Sequence, residues 1–522
     1  MSLLKSTGII GGLTLVSRLA GFARDMILAR VLGAGVAADV FLLAFQLPNI
    51  FRRLFAEGAF SAAFVPMFSR RLHGPDGQKS AESFSSDVLS VFVPVLIVFA
   101  ALIEVAMPGV VWLMASSFQD VPGKFELAVS LSRITFPYIV LISLVALLTG
   151  VLNSLSRFAP GAAFPILLNA VLIVALLLGD RLRGPGGDDA VVAYTLAWAV
   201  AAGGVIQLLW MWFWVRRAGI RMPIRRPRLT PEVRELGLII LPAVFGAGVY
   251  QINQLVQLYF VTQLPGGSIA YLNYADRLNQ LPLGVVGIAL GTAILPGLSR
   301  FVGSGDRAGA DRLQSSAIEL AMLLTLPAAA ALAVCALPFV TAFFLGGRFD
   351  AADAAITADV IVALVAGLPA YVLIKVLTPA FFSRKDTRTP VYGALVGLGF
   401  FAGFNILFVD RFGIVGLAAA SAVGAWLNTL FLYVMLVRRD LYRMDGALVG
   451  QLLRQLAAAA VMVAVLYGLR APLADWFGGA ILERIGGVAA LVLAGGLAYF
   501  GVAALDGAID RARLQMFLKR KT

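Results

Sequence analysis

Fourteen stretches of mostly apolar residues follow one another along this chain, most of them 20 residues or longer, and a helix needs about 20 to cross hydrocarbon. They fall roughly at 8–32, 36–68, 86–114, 126–152, 159–179, 190–215, 236–263, 269–298, 314–345, 354–381, 390–409, 414–436, 448–469 and 485–504. Backbone polar groups find no water in a bilayer, so such stretches must satisfy them internally as helices. The expected fold class is therefore an all-α polytopic membrane protein of about 14 transmembrane helices. Composition agrees, since 60% of the 522 residues are hydrophobic and 14% are charged, whereas a soluble domain carries about 25% charge. A soluble globule, a disordered chain and a secreted disulfide scaffold are all excluded. Proline interrupts several runs, notably at Pro48, Pro66, Pro94, Pro137, Pro242, Pro282, Pro296, Pro327 and Pro369. Buried helices tolerate such breaks where neighbours satisfy the freed carbonyls.

The chain carries 42 Lys and Arg against 29 Asp and Glu. With an even number of spans and the N-terminus in the cytoplasm, 27 of the basic residues fall in cytoplasmic segments and seven on the other side. This asymmetry is the positive-inside pattern, and it accounts for the basic excess without nucleic acid as a partner. Both termini are then cytoplasmic. Arg18, Arg24 and Asp25 break the first apolar stretch, so it does not read as a cleavable signal peptide. One cysteine, Cys335, and one histidine, His73, allow neither a disulfide framework, nor a nitrogen–sulfur metal cluster, nor a histidine triad.

At an offset of 230 residues the chain resembles itself. Pro66 meets Pro296, Arg70 meets Arg300, Ser85-Ser86 meets Ser315-Ser316, Pro108 meets Pro338 and Pro160 meets Pro390. The offset spans six helices, so two six-helix lobes should form a parallel pseudo-repeat, an arrangement typical of transporters. The expected organisation is an N-terminal lobe over 1–217, a basic cytoplasmic linker over 218–235, and a C-terminal lobe over 236–440. Two further helices and a basic tail over 441–522 lie outside the repeat.

Apart from those in loops or at helix ends, eight basic residues fall inside the spans: Arg18, Arg24, Arg30, Arg52, Arg53, Arg133, Arg277 and Lys375. Each arginine facing lipid at mid-bilayer would cost about 2.5–3.5 kcal/mol, so Arg18, Arg24, Arg52 and Arg277 together would cost roughly 10–14 kcal/mol. Such groups should face water inside the protein. Arg18 and Asp25 are seven residues apart, as are Ser17 and Arg24, which places each pair on nearly one helix face. Asp39, Gln46, Asn49, Arg53 and Glu57 follow at near-helical spacing with Arg52 beside them, and Asn273, Asp276, Arg277 and Gln280 cluster in the eighth run. Buried ion pairs explain part of this set, joining Arg24 or Arg18 to Asp25 or Asp39, Arg53 to Glu57, and Arg277 to Asp276. Arginine still outnumbers acid, which points to a hydrated, positively charged cavity between the halves. A guanidinium fork grips phosphate oxygens bidentately and keeps its proton, so the expected substrate is a phosphate or pyrophosphate.

The strings SRLAGFARD (17–25), DVFLLAFQLPNIFRRLFAEGAFSAAFVP (39–66) and YADRLNQLPLGVVGIALGTAILP (274–296) resemble the MurJ (MviN) family of lipid II flippases, within the MOP exporter superfamily. The resemblance implies two six-helix lobes around a central cavity, with two C-terminal helices guiding a polyprenyl tail. It maps the cavity arginines onto Arg18, Arg24, Arg52 and Arg277, with Asp25, Asp39, Asn49, Arg53, Glu57 and Asp276 as neighbours. It also implies an inner-membrane location, lipid II as substrate, contact with membrane lipids and with cell-wall synthesis proteins, and no cofactor. Some members bind sodium. Here Asn253, Asn405 and Ser421 are the only hints of such a site, and a full set of carboxylate ligands is missing. The alternative is a flippase for another polyprenyl-diphosphate-linked oligosaccharide, such as an O-antigen or exopolysaccharide unit. A drug or cation antiporter should show an acidic cavity. An enzyme should show an acid–base pair or a metal cluster at the membrane face, and no phosphate-binding G-x-x-x-x-G-K-[ST] loop is present.

Overall fold

Helix follows helix along the computed structural model, which describes the backbone of residues 3–52, 60–284 and 288–508, and their side chains except those of 3–7, 61–62, 241–250, 288–289 and 291–293. The order is α1 (Leu3–Leu32), α2 (Val36–Arg52), α3 (Phe60–Leu72), α4 (Gly77–Met114), α5 (Lys124–Thr135), α6 (Tyr138–Ser154), α7 (Ala159–Arg183), α8 (Asp189–Arg217), α9 (Pro231–Thr262), α10 (Ser268–Pro282), α11 (Ile288–Gly303), α12 (Arg307–Val334), α13 (Ala336–Phe343), α14 (Ala351–Val365), α15 (Leu368–Phe382), α16 (Arg388–Arg438), α17 (Gly446–Arg470), α18 (Ala474–Gly478) and α19 (Ile481–Leu505). No strand occurs among the described residues. Nine helical stretches among them are long and apolar enough to cross a bilayer. These nine cover ten of the fourteen apolar runs, because one of them, α16, contains two. The other four runs are 8–32, 36–68, 236–263 and 269–298, and three of these hold Arg18, Arg24, Arg52 and Arg277.

Helix boundaries follow local chemistry. Asp188, Thr230, Asp306, Asp350 and Asp445 sit at helix N-termini and accept hydrogen bonds from backbone N–H groups of the first turn, satisfying donors that have no partner within the helix. Proline does not always mark the breaks. Pro48, Pro66, Pro94, Pro282, Pro296 and Pro327 lie inside helices. The fourth run parts just before Pro137, and the tenth parts just before Leu368, with Pro369 in the first turn that follows.

At 1.5 Å per residue a straight α16 of 51 residues would reach about 77 Å, far beyond a hydrocarbon core of about 30 Å. It folds back at Gly413, whose φ of 56° and ψ of −148° are not helical. Its two arms then pack on each other through glycines. A Cβ placed on Gly397 would lie 2.6 Å from the Gly424 carbonyl oxygen, and one on Gly424 would lie 2.9 Å from that of Gly397. The runs 390–409 and 414–436 are therefore separate arms of a hairpin.

The helix pattern repeats at the expected offset. α1 to α3 begin at Leu3, Val36 and Phe60, while α9 to α11 begin at Pro231, Ser268 and Ile288. The long α4 corresponds to α12 with α13, the broken pair α5–α6 to α14–α15, and α7–α8 to the two arms of α16. By packing, the chain divides into two compact units, residues 1–270 and 271–522.

In the first unit α7 packs on α8 and α1, α2 packs on α5 and α8, and α9 packs on α4 and α3. Phe60, Phe64 and Phe68, spaced four residues apart, line one face of α3. The rings of Phe60 and Phe64 stack on Phe92 and Phe84 of α4, with centroids 5.0 and 5.6 Å apart. In the second unit α12 packs on α15 and α17, and α17 packs on α19. The C-terminal helices thus join the core through Met462, Leu466, Leu491 and Tyr499, in a cluster that also takes in Cys335 of the second unit.

Candidate functional site

In the first unit the charged face of α1 meets α7. Arg24 Nε and Nη2 donate to Asp25 Oδ1 at 2.9 and 2.7 Å. Arg24 Nη1 donates to Asn169 Oδ1 at 3.1 Å, and Asn169 Nδ2 donates to the Ser17 carbonyl at 3.3 Å. Asn169 therefore bridges Ser17 and Arg24, two turns apart on the one face that their seven-residue spacing predicts. The Arg24 guanidinium also lies over the Phe45 ring, 5.7 Å from its centroid. Asp25 is fully buried, while the Arg24 side chain keeps 11% of its exposure. A guanidinium has five N–H donors, and these contacts use three, so one remains on each terminal nitrogen of Arg24 for an incoming acceptor.

Arg18 is exposed on the same helix and makes no hydrogen bond or ion pair among the described residues. On α2, Arg52 Nε donates to Asn49 Oδ1 at 3.2 Å, and Asn49 Nδ2 donates back to the Phe45 carbonyl at 2.8 Å. Arg53 and Glu57 lie outside the described residues.

Asp39 takes another place. Its Oδ2 accepts from Gly267 N at 2.7 Å and its Oδ1 from Ala270 N at 3.0 Å, which anchors the start of α10. Lys124 Nζ lies 3.7 Å from Oδ2 and 3.9 Å from the centroid of the Phe118 ring. Asp39 and Lys124 are both buried. Of the two pairings expected for Arg24, the structure forms the one with Asp25, and Asp39 serves a helix N-terminus and a lysine instead.

In the second unit Asp276 accepts from Gln280 Nε2 one turn along α10, and Arg277, next to it, is partly buried. The sodium hints are local bonds. Asn405 Nδ2 donates to the Phe401 carbonyl at 2.8 Å and Ser421 Oγ to the Leu417 carbonyl at 3.2 Å, while Asn253 is exposed. No group of three or more His, Cys, Asp or Glu side chains suited to a metal comes together among the described residues.

Two contributors went unforeseen. Asn169 carries a signal in hindsight, a lone amide inside the apolar run PILLNAVLIVALLLG, and polar groups there are costly unless used. Lys124 carries none. It follows Pro122 and Gly123 in what reads as a water-facing loop, and only the fold buries it.

Helices α1 and α2 carry four arginines, Arg18, Arg24, Arg30 and Arg52, against two carboxylates, Asp25 and Asp39, and Asp39 holds the start of α10 and Lys124. The sequence profile of the family described as "Lipid II flippase MurJ" matches residues 28–486. A protein of Rhizobium meliloti (strain 1021) named "Probable lipid II flippase MurJ" is 43% identical over 471 residues, which cover 90% of this chain and 86% of that relative. One of Rhizobium tropici with the same name is 40% identical over 525 residues, covering 100% of this chain and 97% of the relative. Among solved structures, "Lipid II flippase MurJ, inward closed conformation" superposes with a TM-score of 0.77 at 24% identity, over 95% of this chain and 98% of that one. An inward-facing multidrug resistance MATE family transporter of the MOP superfamily gives 0.64 at 14% identity, over 83% and 97%. These structures share the fold, and the profile and the relatives, which run along nearly the whole sequence, establish that the chain belongs to the lipid II flippase MurJ family.

Proposed function

We propose that this chain is a lipid II flippase, carrying the undecaprenyl-diphosphate-linked disaccharide–pentapeptide from the cytoplasmic to the outer leaflet of the inner membrane. The observation that carries the reading is the uneven charge on α1 and α2, where Arg18, Arg24, Arg30 and Arg52 outnumber Asp25 and Asp39. Crossing hydrocarbon is costly for the diphosphate and the sugar–peptide head, whereas the polyprenyl tail stays in lipid. Arg18, Arg24 and Arg52 would hold the diphosphate, Asp25, Asn49 and Asn169 would orient the guanidinium groups, and Arg277 would add another, with Asp276 beside it. Arg53 and Glu57 are assigned to the same charged set. The two units would then alternate access to the two sides of the membrane. The step relocates the lipid without altering a covalent bond, so no catalytic residue or cofactor is assigned.

Both termini are placed in the cytoplasm on the strength of the basic loops. Proteins that make and consume the lipid-linked precursor are the expected partners. An inside-negative potential favours outward movement of anionic charge by about 2.3 kcal/mol per charge per 100 mV, so collapsing it should slow flipping. The decisive experiment reconstitutes the purified chain in vesicles with labelled lipid II and follows its access to an external probe. Appearance of unmodified lipid on the far side is expected, with competition by excess lipid II exceeding that by other polyprenyl-diphosphate sugars. Equal competition would favour the broader substrate class, and chemical conversion of the label would refute the transport reading.

A further inference from the structure

The segment between α8 and α9 is basic, but it is not a loose tether. Residues 220–230 run without helix along the N-terminal part of α4. Gln78 Nε2 donates to the Gly219 carbonyl at 2.9 Å, Arg221 N donates to Glu82 Oε1 at 3.0 Å, and Arg225 N donates to Ser90 Oγ at 2.7 Å. Arg225 Nη1 also reaches Ser83 Oγ at 3.0 Å and Asp87 at 3.7 Å. Ile220 and Met222 are buried beneath the strap. From Gln78 to Ser90 the helix rises about 18 Å, which six extended residues from 219 to 225 span at about 3.3 Å each.

This attachment fixes the depth of the strap. Ser90 is followed by residues 91–114, apolar apart from Glu104, and a helical stretch of that length spans about 36 Å, enough for the hydrocarbon core. Residue 225 therefore lies at the rim of the hydrocarbon, at headgroup level. Trp210, Trp212 and Trp214 at the end of α8 mark the same level, as aromatic belts do, with Arg216 over the Trp212 ring at 5.2 Å and Arg217 over Trp214 at 5.8 Å. On the strap Arg221, Arg226 and Arg228 are exposed, and their side chains form no hydrogen bond or ion pair among the described residues. Ile224 and Leu229, interleaved with them, are 70% and 79% exposed.

We infer that this strap is a docking surface for anionic phospholipid headgroups, with Arg226 and Arg228 on the phosphates and Ile224 and Leu229 among the acyl chains. Cations set beside exposed apolar side chains at headgroup depth match an anionic bilayer surface better than a nucleic acid or an acidic protein, which would leave the apolar pair in water. The inference is independent of lipid II transport, because only its assignment to the cytoplasmic leaflet rests on the proposed orientation.

The test uses the full chain in nanodiscs of one part phosphatidylglycerol to three parts phosphatidylethanolamine. The protein is then extracted in mild detergent, and the retained lipids are counted by mass spectrometry. Wild type should retain phosphatidylglycerol well above its share, and the excess should shrink in 0.5 M salt as screening shortens. One arginine near an anionic surface multiplies occupancy roughly fivefold, so Arg226→Gln with Arg228→Gln should lose most of the excess. Ile224→Ser with Leu229→Ser should weaken it, and Arg438→Gln, another exposed arginine at a helix end, should not. Unchanged elution on gel filtration checks that the variants fold. No enrichment in wild type, or equal loss in Arg438→Gln, would overturn the assignment.

Discussion

Arg24 has two roles that one substitution confounds and two separate. Arg24→Ala removes both bonds to Asp25 Oδ1 and the bond to Asn169. Asp25 stays fully buried, and breaking a buried ion pair by removing one partner costs about 3–5 kcal/mol. Arg24 is not wholly shielded, its side chain being 11% exposed, so the lower end of that range is expected. Adding Asp25→Asn removes the buried charge while keeping the shape. Groups in direct contact couple by roughly 0.5–3 kcal/mol, so the double variant should recover much of the lost stability. The four proteins of this cycle can be ranked by thermal unfolding in one detergent, and their activity read by rescue of growth when the resident flippase is depleted. Stability should return in the double variant while rescue still fails, because the guanidinium that meets the diphosphate is gone. A double variant that is stable and restores growth would show that Arg24 only neutralises Asp25. An Arg24→Ala protein as stable as the parent would refute the burial argument itself.

Three further outcomes follow from other parts of the structure. Gly397→Ala should lower the yield of folded protein, since its Cβ would meet the Gly424 carbonyl at 2.6 Å, whereas Gly399→Ala, with nothing within 4 Å, should be tolerated; equal yields would refute the hairpin packing. Asp39→Ala should cost about 3 kcal/mol or more by leaving Lys124 buried without its carboxylate, and Lys124→Met in the same chain should restore part of it, as measured by thermal unfolding. In the loop before α16, burial alone would raise the Asp386 carboxyl, but hydrogen bonds from Thr389, Arg439 and the Arg388 N–H outweigh it and lower the group to about 2. With an unfolded value of about 3.9, its stabilisation is complete above that pH and fades as pH falls towards 2. Asp386→Asn should flatten that part of the stability–pH curve, and an unchanged curve would count against the network.

Ten of the fourteen expected spans, and the repeat of the helix pattern, were legible in the sequence because both are local arithmetic. Hydrocarbon thickness sets how long an apolar run must be, and the spacing of prolines and serines carried the offset that the helix boundaries reproduce. The arginines were legible for the same reason, since a charge inside an apolar run stands out against its neighbours. Their partners were not. Ser17 and Arg24 share a face by helical period alone, but Asn169, 145 residues further on from Arg24, reaches them only because α7 packs on α1. Asp39 looked like another member of the arginine cluster until the fold brought Gly267, Ala270 and Lys124 to it. By itself the sequence determined which segments must be buried in lipid and which charges need an explanation, because those depend on transfer free energies of single residues. Tertiary structure decided which acid neutralises which base, and so where cationic charge is left over, because pairing depends on contacts between helices that are distant in the chain.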